Sequence, residues 1–196
     1  MILIVDFGSQ TAHLIGRRLV DMGVSVQICT PEKATKEVAH QKPQGIILSG
    51  GPSSVYEKGA PTLPKSFFSG TVPMLGICYG WQLMAHLLGG VVQPSRKEYG
   101  PARLEIEETT PLFLGVDSYS TVWMSHGDSV VQTPKGFSVI ARTPQVLFGA
   151  VVNHKQNMYG VQFHPEVDHT TFGNEILHNF VSKICKIKTK KTEIDV

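Results

Sequence analysis

One of the three cysteines, Cys78, sits between glycines in the stretch VPMLGICYGWQLMAHLLGG at 72–90, an arrangement suited to nucleophilic chemistry. Gly76 and Gly80 stand two residues to either side, the spacing of a strand-to-helix elbow that neighbouring backbone can approach without meeting a Cβ, with Cys in place of Ser. A thiol at a helix start also meets the positive end of the backbone dipoles, which favours the thiolate. An isolated cysteine reads more simply as a small buried hydrophobe; the elbow spacing is what favours a nucleophile. A base for it stands near the other end of the chain. In MYGVQFHPEVDHT, at 158–170, Pro165 holds His164 out of the helical region, and in an extended chain residues i and i+2 face the same way, so His164 and Glu166 project together. Cys, His and Glu are a sufficient set for covalent catalysis: the thiolate attacks, the imidazole carries the proton, and the carboxylate fixes the imidazole tautomer.

The elements that must position these groups follow from apolar periodicity. Val72, Met74, Leu75 and Ile77 predict a buried strand ahead of Cys78, and Leu83, Met84, Leu87 and Leu88 a helix behind it, stopped by Gly89 and Gly90. Upstream, 2–5 (ILIV) predicts an apolar strand, Ser9 a cap for a helix reaching about Met22, 24–29 a second strand, Ala34–Gln41 a short helix, and Ile46–Leu48 a third strand ending in the loop Ser49–Pro52. Strand and helix in alternation give an α/β fold with a parallel sheet. After the elbow helix the pattern becomes strand-rich and partly antiparallel, with short strands expected at 103–107, 121–124, 129–132, 138–142, 147–153 and 158–163. A last helix is expected from about Thr171 to Cys185, and 187–196 reads as a charged tail or the start of a linker after one domain spanning 1–186. The 49–52 loop, Cys78 and His164 each follow a predicted strand, so in an open α/β sheet they share one crevice at the carboxyl ends.

Composition sets the outer bounds. A chain of 196 residues, 41% hydrophobic and 17% charged, fits one soluble globular domain. The net charge of +2 comes largely from C-terminal lysines, and no basic, aromatic-studded stripe suggests a nucleic-acid surface. The apolar run MILIV ends at Asp6, too short for a signal sequence or a membrane span. Cys29, Cys78 and Cys185 show no paired or metal-type spacing, which fits reduced thiols and a cytoplasmic location.

GICYGWQ followed far downstream by FHPE resembles the triad of the class I glutamine amidotransferases, and the resemblance covers nearly the whole chain. Within that family ILIVDFGSQ, GIILSGGPSSVYEKGAP, KEYG at 97–100, VWMSHGD at 122–128 and GVQFHPEVDHT are similar to the amidotransferase part of GMP synthetases. The resemblance implies a flavodoxin-like three-layer sandwich, mostly parallel with additional antiparallel strands in the second half. It implies hydrolysis of the glutamine side-chain amide, with Cys78 as nucleophile, His164 as base and then acid, and Glu166 as orienter. It puts the oxyanion donors at the backbone N–H groups of Gly51 and Tyr79, and glutamine contacts at Gln82, Ser125, Gly127 and Asp128. The partners implied are L-glutamine and an ATP-pyrophosphatase domain or subunit that converts XMP to GMP in purine biosynthesis. ATP and Mg would be held there, with no cofactor in this chain. Trp81 stands where this subfamily often has Met, and Thr11 where an aromatic is common; packing is the expected role of Trp81.

Rival readings carry less. The loop SGGPSS at 49–54 has Ser53 where a pyrophosphate-binding loop needs Asp, and lacks a Walker Lys. His164, Glu166, Asp168 and His169, with His126 or Asp128, would suit a catalytic metal, but that leaves the elbow without a role. A γ-glutamyl hydrolase or another pathway's amidotransferase on the same scaffold would not be expected to carry WMSHGD, and a silent regulatory subunit would not be expected to keep all three triad types.

Overall fold

The computed structural model describes residues 1–70 and 72–190. Apolar runs buried on both faces become strands β1 (Ile2–Val5), β3 (Gly45–Leu48) and β4 (Met74–Ile77), and β2 (Val26–Cys29) is the parallel edge. Helix α1 (Thr11–Asp21) joins β1 to β2, α2 (Pro31–Gln41) joins β2 to β3, a long segment with one 3-10 turn at Lys65–Phe68 joins β3 to β4, and α3 (Tyr79–Leu87) follows β4. The second half adds the long strands β5 (Val91–Ile106) and β6 (Tyr119–Gln132), then β7 (Ser138–Arg142), β8 (Ala150–Asn153), β9 (Met158–Val161) and α4 (Gly173–Asn179), which runs on as a π-helical stretch to Ile184.

All nine strands form one sheet in the order β2-β1-β3-β4-β9-β8-β7-β5-β6. Its first five members are parallel and the remaining pairings antiparallel, giving the mixed α/β flavodoxin-like arrangement. Period-2 alternation divides the core. Ile2 and Ile4 of β1 join Ile15 and Leu19 of α1 and Ile176, Leu177 and Phe180 of the last helix. Leu3 and Val5 face the other way, toward Ala34 of α2 and Leu83 and Met84 of α3. Adjacent β3, β4 and β9 end on the same side, so the 49–52 loop, Cys78 and the chain leading to His164 emerge together.

Three local expectations need correction. Ser9 does not cap α1: Gln10 holds that position without a side-chain bond, and the Ser9 hydroxyl reaches instead to the Gly50 carbonyl at 3.0 Å and to Thr11 Oγ1 at 2.5 Å. Segments 121–124 and 129–132 are one strand, because buried polar His126 and Asp128 occupy inward positions of β6 and break the apolar count without breaking the ladder. Strand β5 begins at Val91 rather than 103 and carries Pro94 and Pro101, which its nearly one-sided pairing permits: β6 lies along most of one edge, and β7 pairs only at Glu105 and Ile106. A register shift between Pro94 and Glu98 bulges 95–97 out of the ladder and turns Ser95 and Lys97 to the crevice. Ile187 packs on the core and the Lys190 N–H donates to the Met22 carbonyl at 2.9 Å; tail residues 191–196 lie outside the described residues.

Candidate active site

Cys78 is held in a backbone conformation that L-residues avoid, φ 50° and ψ −106°, between the end of β4 and the first turn of α3. Its own N–H donates to the Val161 carbonyl of β9 at 2.8 Å, and the Gly80 N–H donates to the Ser49 carbonyl at 3.0 Å, so the turn is pinned from both neighbouring strand ends. Both flanking glycines are sterically required: a Cβ at Gly76 would lie 2.7 Å from the Trp81 amide nitrogen, and one at Gly80 would overlap the Leu48 carbonyl. Conformations of this kind cost roughly 1–3 kcal/mol and persist where the surroundings over-determine them. The strain presents the thiol to a cleft of about 700 Å³.

The thiol donates to the Ser125 carbonyl at 3.6 Å and accepts from Gln162 Nε2 at 3.6 Å. His164 follows β9, and its Nδ1 meets Glu166 Oε1 at 2.8 Å with Glu166 wholly buried. The pairing has a different local cause from the expected extended chain: 164–166 enters a turn. That turn is fixed by Thr170, whose hydroxyl donates to the His164 carbonyl at 2.6 Å, and by the His164 N–H, which donates to the Trp123 carbonyl at 3.0 Å. Arg18 of α1 donates to the Glu166 carbonyl at 3.0 Å and pairs with Asp168. Burial disfavours a charged His164, but Cys78 and Glu166 outweigh it and raise its pKa well above the ordinary imidazole value. Nε2 makes no hydrogen bond, so Cys78 acts on it as a close neighbour and not through a formed bond. The imidazolium is therefore favoured beside the sulfur.

Gly51 and Tyr79 border the same turn. As the first residue of α3, Tyr79 has an N–H with no helical acceptor, while its side chain turns away to donate to the Pro61 carbonyl at 2.5 Å. At Gly51 a Cβ would stand 2.8 Å from the Phe7 carbonyl oxygen and 3.3 Å from the Tyr79 ring, so only glycine lets this loop lie beside the elbow. Gln82, Ser125, Gly127 and Asp128 all line the cleft. Gln82 Nε2 is committed to the Asp128 carbonyl at 2.8 Å and to Gln162 Oε1 at 3.3 Å, so it braces the wall. Trp81 is wholly buried, 5.5 Å from the Phe137 ring, and fills the core. Asp168 pairs with Arg18, His169 stacks on Trp123 at 4.5 Å, and His126 meets Glu98 at 3.3 Å, so the groups of the metal reading are spread over separate partners.

Several site residues were not singled out from sequence. Gln162 contacts the sulfur, and its only signal was an amide at the end of an apolar strand. Ser54 and Tyr56 both donate to the Asp128 carboxylate, and Glu57 and Lys97 add a carboxylate and an ammonium to the cleft wall. Nothing in the local pattern marks those contacts.

The family model for class-I glutamine amidotransferases matches residues 3–184. The chain belongs to that family. Among curated relatives of this amidotransferase are GMP synthase [glutamine-hydrolyzing] of Macrococcus caseolyticus, 49% identical over 95% of this chain and 36% of the relative, and that of Staphylococcus aureus strain MSSA476, 46% identical over 98% and 37%. The chain thus spans little more than a third of their length. Among solved structures, a candidate GMP synthase subunit from Thermoplasma acidophilum superposes with a TM-score of 0.82 at 29% identity, covering 94% of this chain and 93% of that one. A glutamine amidotransferase from Methylobacillus flagellatus, at 17% identity and TM-score 0.74, covers 100% of this chain and 98% of that one and shares the fold.

Proposed function

We propose that this amidotransferase hydrolyses L-glutamine through Cys78, His164 and Glu166 and supplies ammonia to an ATP-pyrophosphatase partner that converts XMP to GMP. The observation that carries the reading is the convergence of a strained thiol and a Glu-paired imidazole of raised pKa on one cleft, with Gly51 on its wall. The Cys78 thiolate attacks the amide carbon, and the N–H groups of Gly51 and Tyr79 hold the oxyanion. Imidazolium His164 gives its proton to the departing nitrogen, the C–N bond breaks, and ammonia leaves behind a γ-glutamyl thioester. Water, deprotonated by His164, then cleaves the thioester to glutamate and restores the thiolate. Glu166 keeps Nδ1 engaged throughout.

The amino-acid end of the substrate fits the charges of the wall: Asp128 and Glu57 suit an α-ammonium, Lys97 an α-carboxylate. The GMP-forming half of the reading is supported by the names of the curated relatives and by their greater length, which leaves room for an ATP-dependent synthetase. Ammonia released into water near pH 7 becomes ammonium and loses its nucleophilicity, so the partner covers the cleft. Cytoplasmic operation agrees with three free cysteines, and no helix among the described residues is long and apolar enough to cross a membrane.

The test is peptide mapping after exposure to a diazo-ketone glutamine analogue. The expected result is a single adduct on Cys78 that glutamine blocks. Burial raises Cys29 to about 11 and Cys185 to about 12, so neither competes at neutral pH. An adduct elsewhere, or one that glutamine does not block, refutes the nucleophile or the substrate. For the partner, Cys78→Ala should end glutamine-dependent GMP formation while ammonia-dependent formation continues.

A further inference from the structure

Asp128 is an unusual acidic residue. It is only 9% exposed, and among the described residues it forms no ion pair with lysine, arginine or histidine. Buried carboxylates ordinarily take a cationic partner. Here two hydroxyls stand in that place: Tyr56 Oη donates to Oδ1 at 2.6 Å and the Ser54 hydroxyl donates to Oδ2. The main chain of Asp128 is fixed independently, its carbonyl accepting from Gln82 Nε2 at 2.8 Å and facing His126 Nδ1 at 2.9 Å. With backbone and both oxygens held, the carboxylate has one orientation. A carboxylate offers about four acceptor sites, so two hydroxyl donors leave about two for a ligand.

Hydroxyls, unlike lysine or arginine, aim a carboxylate without cancelling its charge. We infer that Ser54 and Tyr56 are positioning residues that hold the Asp128 carboxylate oriented to receive the α-ammonium of the substrate, making the 54–57 turn a determinant of specificity for free α-amino acids. The inference rests on the glutamine reading above. The turn is internally braced. The Ser54 N–H donates to Glu57 Oε2 at 3.3 Å and the Glu57 N–H donates to the Ser54 carbonyl at 3.0 Å, so the segment that supplies the hydroxyls brings a second carboxylate to the same wall. Tyr56 is 46% exposed, so removing its hydroxyl disturbs no core packing. Its phenol pKa is raised, chiefly by the hydrogen bond to Asp128, so it remains a donor throughout the neutral range.

The experiment is calorimetric titration of the Cys78→Ala chain, which cannot turn over, with glutamine and with 4-carbamoylbutanoate, the same molecule lacking the α-ammonium. Tyr56→Phe in that background should weaken glutamine roughly ten- to hundredfold, the scale of one hydrogen bond to a charged group, and leave 4-carbamoylbutanoate within about twofold. Adding Ser54→Ala should erase most of the remaining preference for glutamine. Equal weakening of both ligands would mean general damage to the cleft and would overturn the inference. Tighter glutamine binding in Tyr56→Phe would also overturn it, because the hydroxyl would then be competing with the ammonium. Failure of the Cys78→Ala chain to bind glutamine at all would strike the substrate assignment itself, a result distinguishable from the other two.

Discussion

Exchanging Cys78 for glycine and for alanine tests the strained elbow without reference to catalysis, since both variants lack the thiol. At φ 50° and ψ −106° an alanine inherits the strain of the native residue, while for glycine the conformation is the mirror of about −50° and +106°, at the margin of the extended region. With positive φ and ψ outside the left-handed helical well, the strain belongs in the upper part of the range for such sites, about 2–3 kcal/mol. Against this, glycine loses about 0.5–1 kcal/mol through the greater freedom of the unfolded chain. It also forgoes burial of one Cβ, about 0.8 kcal/mol. The balance leaves Cys78→Gly about 1 kcal/mol more stable than Cys78→Ala, the reverse of the order at an ordinary buried position. Urea unfolding followed by circular dichroism measures the difference from the two midpoints, provided the m-values agree. In thermal melts the separation should be roughly 2–4 °C for a chain of this size. An alanine variant as stable as the glycine variant, or more so, would refute the claim that the fold forces this turn.

Two further outcomes follow from the site. Because the His164 pKa is raised in the fold above its unfolded value of about 6.5, the pair stabilises the protein fully below that pH and loses this contribution as pH rises through the folded pKa. Glu166→Gln should therefore cost more stability near pH 6 than near pH 9, and proton NMR should show the His164 pKa falling in the variant; an unchanged titration would remove Glu166 as a cause. Gly51→Ala would drive a Cβ to 2.8 Å from the Phe7 carbonyl oxygen, so the loop and its N–H must shift. Turnover of glutamine should fall roughly 10²- to 10³-fold, the cost of losing one oxyanion donor. A turnover within a few-fold of the parent would show that the Gly51 N–H is not one.

Much of the arrangement was legible in the chain. The continuous apolar runs of β1, β3 and β4, and the glycines on either side of Cys78, are local signals with local causes, and they suffice for the α/β order and the elbow. His164 and Glu166 stand two residues apart, so their pairing was also within reach, although a turn and not a strand creates it. Strand β6 was less legible because its buried positions include His126 and Asp128, which satisfy themselves through partners on β5, α3 and the 54–56 segment. Periodicity counts apolar residues, and a buried polar residue with a distant partner is counted as a break.

The sequence by itself determined the placement of Cys78 and of the His164–Glu166 pair at adjacent strand ends, because elbow spacing, apolar runs and the HPE segment act over a few residues. Tertiary structure alone decided what surrounds them. Gln162 reaches the sulfur across 84 residues, Arg18 braces the Glu166 carbonyl across 148, and Ser54 and Tyr56 meet Asp128 across 74 and 72. Such contacts depend on which strand ends lie side by side in the order β3-β4-β9 and on a long antiparallel pair folding back over the crevice. No short-range pattern encodes them, since each partner is locally an ordinary polar side chain whose role exists only once the sheet has closed the distance.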